Sequence, residues 1–154
     1  MLSVGSAFAS ARGPTIIAAN VQTRTGEHTA VVYNLQHGLL YKVGLPARGH
    51  DIAFSPVSGS LVAFARRPGN FAVAFDVQNE RPPQAFKTPP GRHFYGHGAF
   101  SPDGNLLFST ANEFLNATGV IGVWSVGANF KRIGEFRSFG IGHMTSIFCR
   151  AGGP

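Results

Sequence analysis

The sequence predicts an all-β chain built from β-propeller blades, each a four-stranded antiparallel sheet, and two observations lead to this fold class. First, HDIAFSP at 50–56 is echoed by HGAFSP at 97–102, with the two Ser-Pro steps 46 residues apart. That period is typical of a blade of four short strands, as in WD40-like repeats. Second, 20 Gly and 14 Phe stand beside only 13% charged residues, a composition of turns and sheets rather than helices.

The first strand-like segments of the chain match an incomplete blade. TIIAANVQ (15–22), HTAVVYNL (28–35) and LLYKVGL (39–45) correspond to the second, third and fourth strands of a blade. In closed propellers the missing inner strand is commonly supplied by the far C-terminus. We therefore expect about two complete blades plus a partial first blade, which is an incomplete, open propeller with an unpaired blade edge.

Two full blades follow the partial one. Each copy of the motif is followed by two apolar segments, SGSLVAFARR and NFAVAFDV in one copy and DGNLLFSTAN and GVIGVWSV in the other. A more polar segment comes last, QAFKTP or FKRIGEF, as expected for the outermost strand of a blade. The predicted boundaries lie within a partial propeller at 12–142: blade one 14–46, blade two 47–91 and blade three 92–139.

The two ends of the chain do not fit the repeat. The start is rich in small and apolar residues and ends in Ala9-Ser10-Ala11, so residues 1–11 are interpreted as the remnant of an export signal, with a frayed terminus as the alternative. After Gly142 the chain reads HMTSIFCRAGGP, which lacks the alternation of a further inner strand. We interpret 143–154 as the product of a one-base frameshift near Gly142, with an unusual natural terminus as the alternative.

The formal charge of +6 does not indicate a nucleic-acid-binding face, because the 13 basic residues are scattered along the chain. No apolar run approaches the roughly 18–20 residues that cross a bilayer. The single cysteine, Cys149, excludes an internal disulfide framework and any CxxC site. We therefore expect neither a nucleic-acid partner nor a transmembrane segment.

Candidate binding residues lie where the first strand of each blade begins, because these strands line the central channel and converge on one funnel. His50 and His97 occupy nearly equivalent positions there and are the candidate metal ligands. The flanking residues form a basic and aromatic surface suited to an anionic group: Arg48, Asp51, Arg66, Arg67, Arg92, His93 and Tyr95.

A structural alternative stands beside each of these hypotheses. His50 and His97 could be buried hydrogen-bonding residues that fix a turn. Arg66 and Arg67 could belong to a solvated turn. Glu113 stands where the preceding repeat has an arginine, which favours an ion pair between blades.

Three strings carry a family resemblance: FARRPG (64–69), PPGRHFYGHGAFSPDG (89–104) and GVIGVW (119–124). Over 14–142 the chain resembles an uncharacterised family of exported bacterial β-propellers, WD- or lactonase-like, that is classed as a domain of unknown function. The resemblance implies a periplasmic protein, often with twin-arginine export, encoded beside imelysin-type iron-regulated proteins and di-haem cytochrome-type oxidoreductases. This chain departs from the family in lacking the twin arginines and the C-terminal blades.

The function that these features favour is binding or scaffolding in the periplasm, linked to iron acquisition, with iron-uptake or cytochrome-type proteins as partners. No G-x-S-x-G, HExxH or P-loop motif occurs, so an enzyme is less favoured and no cofactor is required by the sequence. Two alternatives stay open: a metal-dependent, lactonase-like hydrolase in the full-length form, and a truncated product without function.

Overall fold

The structure is a computed structural model that describes residues 15–67, 69–77 and 81–139, and all of the regular structure in these ranges is β-strand. The predicted signal remnant (1–11) and the predicted frameshifted tail (143–154) lie outside them. Three antiparallel sheets follow one another along the chain, so the predicted fold class is confirmed. Within the described ranges, no helix is long and apolar enough to cross a membrane.

The first sheet is the predicted partial blade. Its order is β1-β2-β3, with β1 at Thr15–Gln22, β2 at His28–Asn34 and β3 at Gly38–Leu45. No described strand pairs with the other edge of β1. The three strands begin 45, 44 and 46 residues before the second, third and fourth strands of the next sheet, so they take those places in a blade.

The second and third sheets are complete four-stranded blades. The second has the order β4-β5-β6-β7, with strands at Gly49–Phe54, Ser60–Ala65, Ala72–Asp76 and Gln84–Phe86. The third has the strands β8 to β11 in consecutive order, at Arg92–Phe100, Leu106–Glu113, Thr118–Ser125 and Lys131–Arg137. The outermost strands β7 and β11 are largely exposed, as their polar sequences predict.

Strand β5 is buried on both faces because its sheet lies in the middle of the stack. Leu61, Ala63 and Ala65 pack toward the first sheet, while Val62 and Phe64 pack toward the third. Alternate residues of a strand point to opposite faces, so each face of the second sheet forms its own apolar layer. The uninterrupted apolar run SLVAFA follows from this double burial.

The layer between the second and third sheets is aromatic. Phe94 is fully buried, and its ring lies edge-on to Phe64 with 5.5 Å between centroids. Phe86 and Trp124 also contact it, at 6.1 and 5.9 Å. The indole Nε1 of Trp124 donates a hydrogen bond to Ser109 Oγ at 2.8 Å, which satisfies the one polar atom of that buried ring. This layer holds the two complete blades in a defined relation.

The inner strands β4 and β8 lie side by side, one from each complete blade. Both are irregular near the same point: the pairing of β4 shifts register between Gly49 and Asp51, and that of β8 between Phe94 and Gly98. Such β-bulges change the direction of a side chain and are frequent beside functional sites. Here they bring His50 and the segment 95–97 into contact.

Candidate functional site

A hydrogen bond joins the inner strands of the two complete blades. His97 Nδ1 lies 2.8 Å from Asp51 Oδ2, and because an ionised carboxylate can only accept, Nδ1 is the donor. Asp51 also accepts a hydrogen bond from the backbone amide of Ile52 at 2.8 Å. The two partners are 46 residues apart, so they hold the same position in successive blades. This bond fixes the orientation of the His97 ring.

His50 packs against this pair. Its ring lies edge-on to that of His97, with 4.9 Å between centroids and 73° between planes. Burial lowers the pKa of His50, and the neighbouring His97 and the Arg66 guanidinium lower it further, against a weaker opposing effect of Asp51. The imidazole is therefore neutral at neutral pH and can accept a hydrogen bond from a ligand.

The surroundings of His50 and His97 do not by themselves form a metal site. The only carboxylate in contact with them in the described ranges, Asp51, is bonded to His97. Among the described residues, no group of three or more His, Cys, Asp and Glu side chains is arranged to hold a metal ion. Metal ligation by His50 and His97 would thus need a further ligand from elsewhere.

Three exposed arginines are called the cationic rim: Arg48 and Arg66, which act on His50, and Arg67, which lies beside Tyr95 and His93. The backbone amide of Arg66 donates to the carbonyl of Arg48 at 2.9 Å, which ties the β5–β6 turn to the start of β4. Arg66 and Arg48 both lower the pKa of His50, so their charges act on the same point. None of the three forms an ion pair within the described part of the chain. Uncompensated guanidinium groups of this kind suit an anionic ligand.

An aromatic group continues the cationic rim across the blade boundary. The guanidinium carbon of Arg67, from the second blade, lies 4.6 Å from the ring centroid of Tyr95 in the third. His93 lies beside Tyr95, with 5.7 Å between centroids, and burial together with Arg67 lowers the pKa of His93. The sequence-predicted Arg67, His93 and Tyr95 are therefore brought together in space.

Arg92 forms its ion pairs within its own blade and does not join the other arginines. Its guanidinium pairs with Glu135 at 2.6 Å and Glu113 at 3.5 Å, and Glu135 pairs in turn with Arg132. Glu113, expected to bridge two blades, thus forms its ion pair within the third blade. Successive residues of a strand point to opposite faces, so Arg92 is directed away from its neighbour His93. Its charge is compensated, and Arg92 is not part of the cationic rim.

Two residues of this region were not predicted from the sequence. Gly96 has a φ of +97°, and a Cβ there would lie 2.5 Å from His50 Cδ2. The 46-residue repeat spacing could have identified Gly96, because it aligns Gly96 with His50 and His97 with Asp51. Matching the two motifs by their histidines gives an alignment that differs by one residue. Phe114, whose ring lies 4.5 Å from that of His93, is marked by nothing in the repeat.

The two lowered histidine pKa values predict a loss of stability in mild acid. Below about pH 6.5, His50 and His93 bind protons in the unfolded chain but not in the folded chain. The free energy of unfolding therefore decreases as the pH falls from about 6.5 to the lower pKa values of the folded state. Urea unfolding at pH 7.5 and 5.5 measures this slope. We expect a His50→Gln, His93→Gln double variant to have a shallower slope than a variant with His37→Gln, an exposed turn residue. Equal slopes would contradict the prediction.

Comparison with known proteins supplies a family and a fold. The family described as "Protein of unknown function (DUF1513)" matches residues 43–153. No curated protein matches the chain. Among solved structures, "Dihydro-heme d1 dehydrogenase NirN in complex with DHE", a propeller-type protein, is similar with a TM-score of 0.56 and 14% identity. That match covers 80% of this chain and 27% of the other, so it shows the fold alone.

Proposed function

We propose that this chain, which belongs to the family of proteins of unknown function DUF1513, is part of a periplasmic β-propeller that binds a carboxylate-bearing ligand. The observation that carries the proposal is the cationic rim, three exposed arginines beside His50 and His93 that form no ion pair with any described acidic residue. Cations gathered at one end of a rigid stack of blades are a common means of anion recognition.

The chemistry of these groups favours carboxylates. A guanidinium group presents paired N–H donors whose spacing matches the two oxygens of a carboxylate. The arginines come from two turns joined by the hydrogen bond between Arg66 and Arg48, so their backbones are held in place before a ligand arrives. The neutral His50 adds an uncharged acceptor or donor beside them. Preorganised donors of this kind lower the entropy cost of binding.

An iron-linked role is the biological context that we propose for this site. Carboxylates reach iron pathways in two forms, as the acid side chains of tetrapyrroles and as iron–carboxylate chelates. The support for this role is the family resemblance, which implies genes for iron-regulated and di-haem cytochrome-type proteins nearby. Periplasmic iron-uptake or cytochrome-type proteins would be the partners that deliver or receive such a ligand.

Periplasmic location is proposed from the Ala9-Ser10-Ala11 pattern and from the family resemblance. Expression with the natural upstream sequence, followed by osmotic-shock fractionation and mass spectrometry, is the check. Recovery of a chain that begins at Arg12 in the periplasmic fraction would support export. Recovery of the uncleaved chain in the cytosol alone would refute it.

Titration calorimetry with a flexible polycarboxylate, butane-1,2,3,4-tetracarboxylate, tests the proposed binding. We expect Arg66→Gln and Arg67→Gln each to weaken the affinity roughly fivefold to tenfold, since each removes a charge-assisted contact at a partly solvated position. Arg24→Gln, an exposed arginine in the β1–β2 turn, is the matched control and should bind as the wild type does. Absence of saturable binding, or an equal loss in the control, would overturn the proposal.

A further inference from the structure

A row of rings lies beside the cationic rim and is called the aromatic platform: Phe114, His93 and Tyr95. The centroids of Phe114 and His93 are 4.5 Å apart with 34° between planes, and those of His93 and Tyr95 are 5.7 Å apart with 38° between planes. Arg67 covers the Tyr95 end. The platform therefore runs from the β9–β10 turn across the start of β8 to a cation supplied by the neighbouring blade.

The outer end of the platform is open to solvent. Phe114 is 57% exposed, and the adjacent Leu115 is 92% exposed. The backbone of Phe114 is nevertheless held, because its amide donates to the carbonyl of Gly91 at 3.0 Å. Tyr95 is only 7% exposed, so Phe114 is the ring of the platform that a flat ligand can reach most readily. A ring on an anchored backbone can stack on such a ligand at a low entropic cost.

His93 contributes an uncharged imidazole ring to the platform rather than a cation. Its Nδ1 is buried and has no hydrogen-bond partner in the described part of the chain, and the same holds for Oδ1 of Asn112, its pairing partner on β9. An unsatisfied buried nitrogen is unfavourable for stability, so packing between Phe114 and Tyr95 must hold the ring where it is. The lowered pKa of His93 keeps it neutral beside Arg67 at neutral pH.

We infer that the aromatic platform selects a planar conjugated ring system whose carboxylates reach the cationic rim, a class that includes carboxylated tetrapyrroles. The inference rests on the proposed function and narrows its ligand class, since rings at one side and guanidinium groups at the other match the two parts of such a molecule. Arg67 joins the two parts: it lies over Tyr95 and belongs to the rim. A flexible polycarboxylate would use the rim alone.

A matched pair of probes separates the two claims. Coproporphyrin is a planar tetracarboxylate, and butane-1,2,3,4-tetracarboxylate carries the same number of carboxylates on a flexible chain. We expect wild-type protein to bind coproporphyrin more tightly, with a shift of its main absorption band. Phe114→Leu, which keeps an apolar side chain but removes the ring, should weaken coproporphyrin binding roughly tenfold and leave the flexible probe unchanged. Arg67→Gln should weaken both.

The possible outcomes separate the inference about the aromatic platform from the proposed carboxylate binding by the cationic rim. Equal affinity of the two probes for wild-type protein, or unchanged coproporphyrin binding in Phe114→Leu together with losses in Arg67→Gln, would overturn the platform and leave the proposed function standing. No saturable binding of either probe would overturn both. Leu115→Ala is the control for a general loss of exposed apolar surface, and a loss equal to that of Phe114→Leu would also overturn the platform.

Discussion

We expect the Phe94→Ala variant to lose about 3–5 kcal/mol of unfolding free energy, the value typical of truncating a fully buried phenylalanine. Phe94 is 0% exposed and contacts Phe64, Phe86 and Trp124, which come from both complete blades. Alanine would leave a cavity in the only apolar layer that these two blades share in the described ranges. Close-packed aromatic rings of two separate sheets cannot collapse far into such a space.

Urea unfolding followed by Trp124 fluorescence measures this loss, because the indole lies in the affected layer. Phe139→Ala is the matched control: the same atoms are removed from a ring that is 97% exposed, so the change should stay within about 0.5 kcal/mol. A small effect at Phe94, similar to that at Phe139, would mean that the two blades do not pack through this layer.

Most of the fold could be predicted from the repeat, because each blade has the same order of buried and exposed strands at a nearly constant spacing in the sequence. Strand β5 could be recognised from its apolar run, and β11 from its charged residues, since burial on two faces and exposure at the outer edge demand opposite compositions. The incomplete first blade followed from the same period. What the sequence could not supply was the relation between side chains of neighbouring blades, which depends on how the sheets stack.

The candidate site shows where this limit falls. Arg48, Arg66, Arg67 and Arg92 were all predicted to flank the candidate histidines, yet Arg92 pairs with Glu135 and Glu113 instead. Arg92 and His93 are neighbours on β8, so their side chains point to opposite faces of the sheet. Farther along the strand, the bulge between Phe94 and Gly98 sets which side chains of β8 turn toward β4. Motif matching could not locate that bulge.

The pairing of His97 with Asp51 follows the repeat spacing rather than the match of the two histidines. Matching the two motifs by their histidines equates His50 with His97, whereas the spacing of the Ser-Pro steps equates His97 with Asp51 and places Gly96 opposite His50. The structure follows the second alignment, with the hydrogen bond between His97 and Asp51 at 2.8 Å. Equivalent positions of neighbouring inner strands meet in a propeller, so a polar pair at a spacing of one repeat is the signal to search for.

Gly96→Ala is expected to lower the free energy of unfolding by about 2–4 kcal/mol, because two costs add at one position. Its φ of +97° is strained for any residue with a Cβ, and that Cβ would stand 2.5 Å from Cδ2 and 3.0 Å from Cγ of His50. Gly38→Ala is the control for the first cost alone, since Gly38 has a φ of +78° and nothing within 4 Å of an added Cβ.

A double-mutant cycle with His50→Ala isolates the second cost. Removing the imidazole frees the space that the added methyl group needs, so Gly96→Ala should cost at least about 1 kcal/mol less in the His50→Ala background than in the wild type. Chemical denaturation of the four proteins gives this coupling energy. The displaced His50 would also turn away from His97 and the cationic rim, so Gly96→Ala should weaken polycarboxylate binding while Gly38→Ala does not. Additive effects, or a cost no greater than that of Gly38→Ala, would mean that Gly96 does not hold His50 in the site.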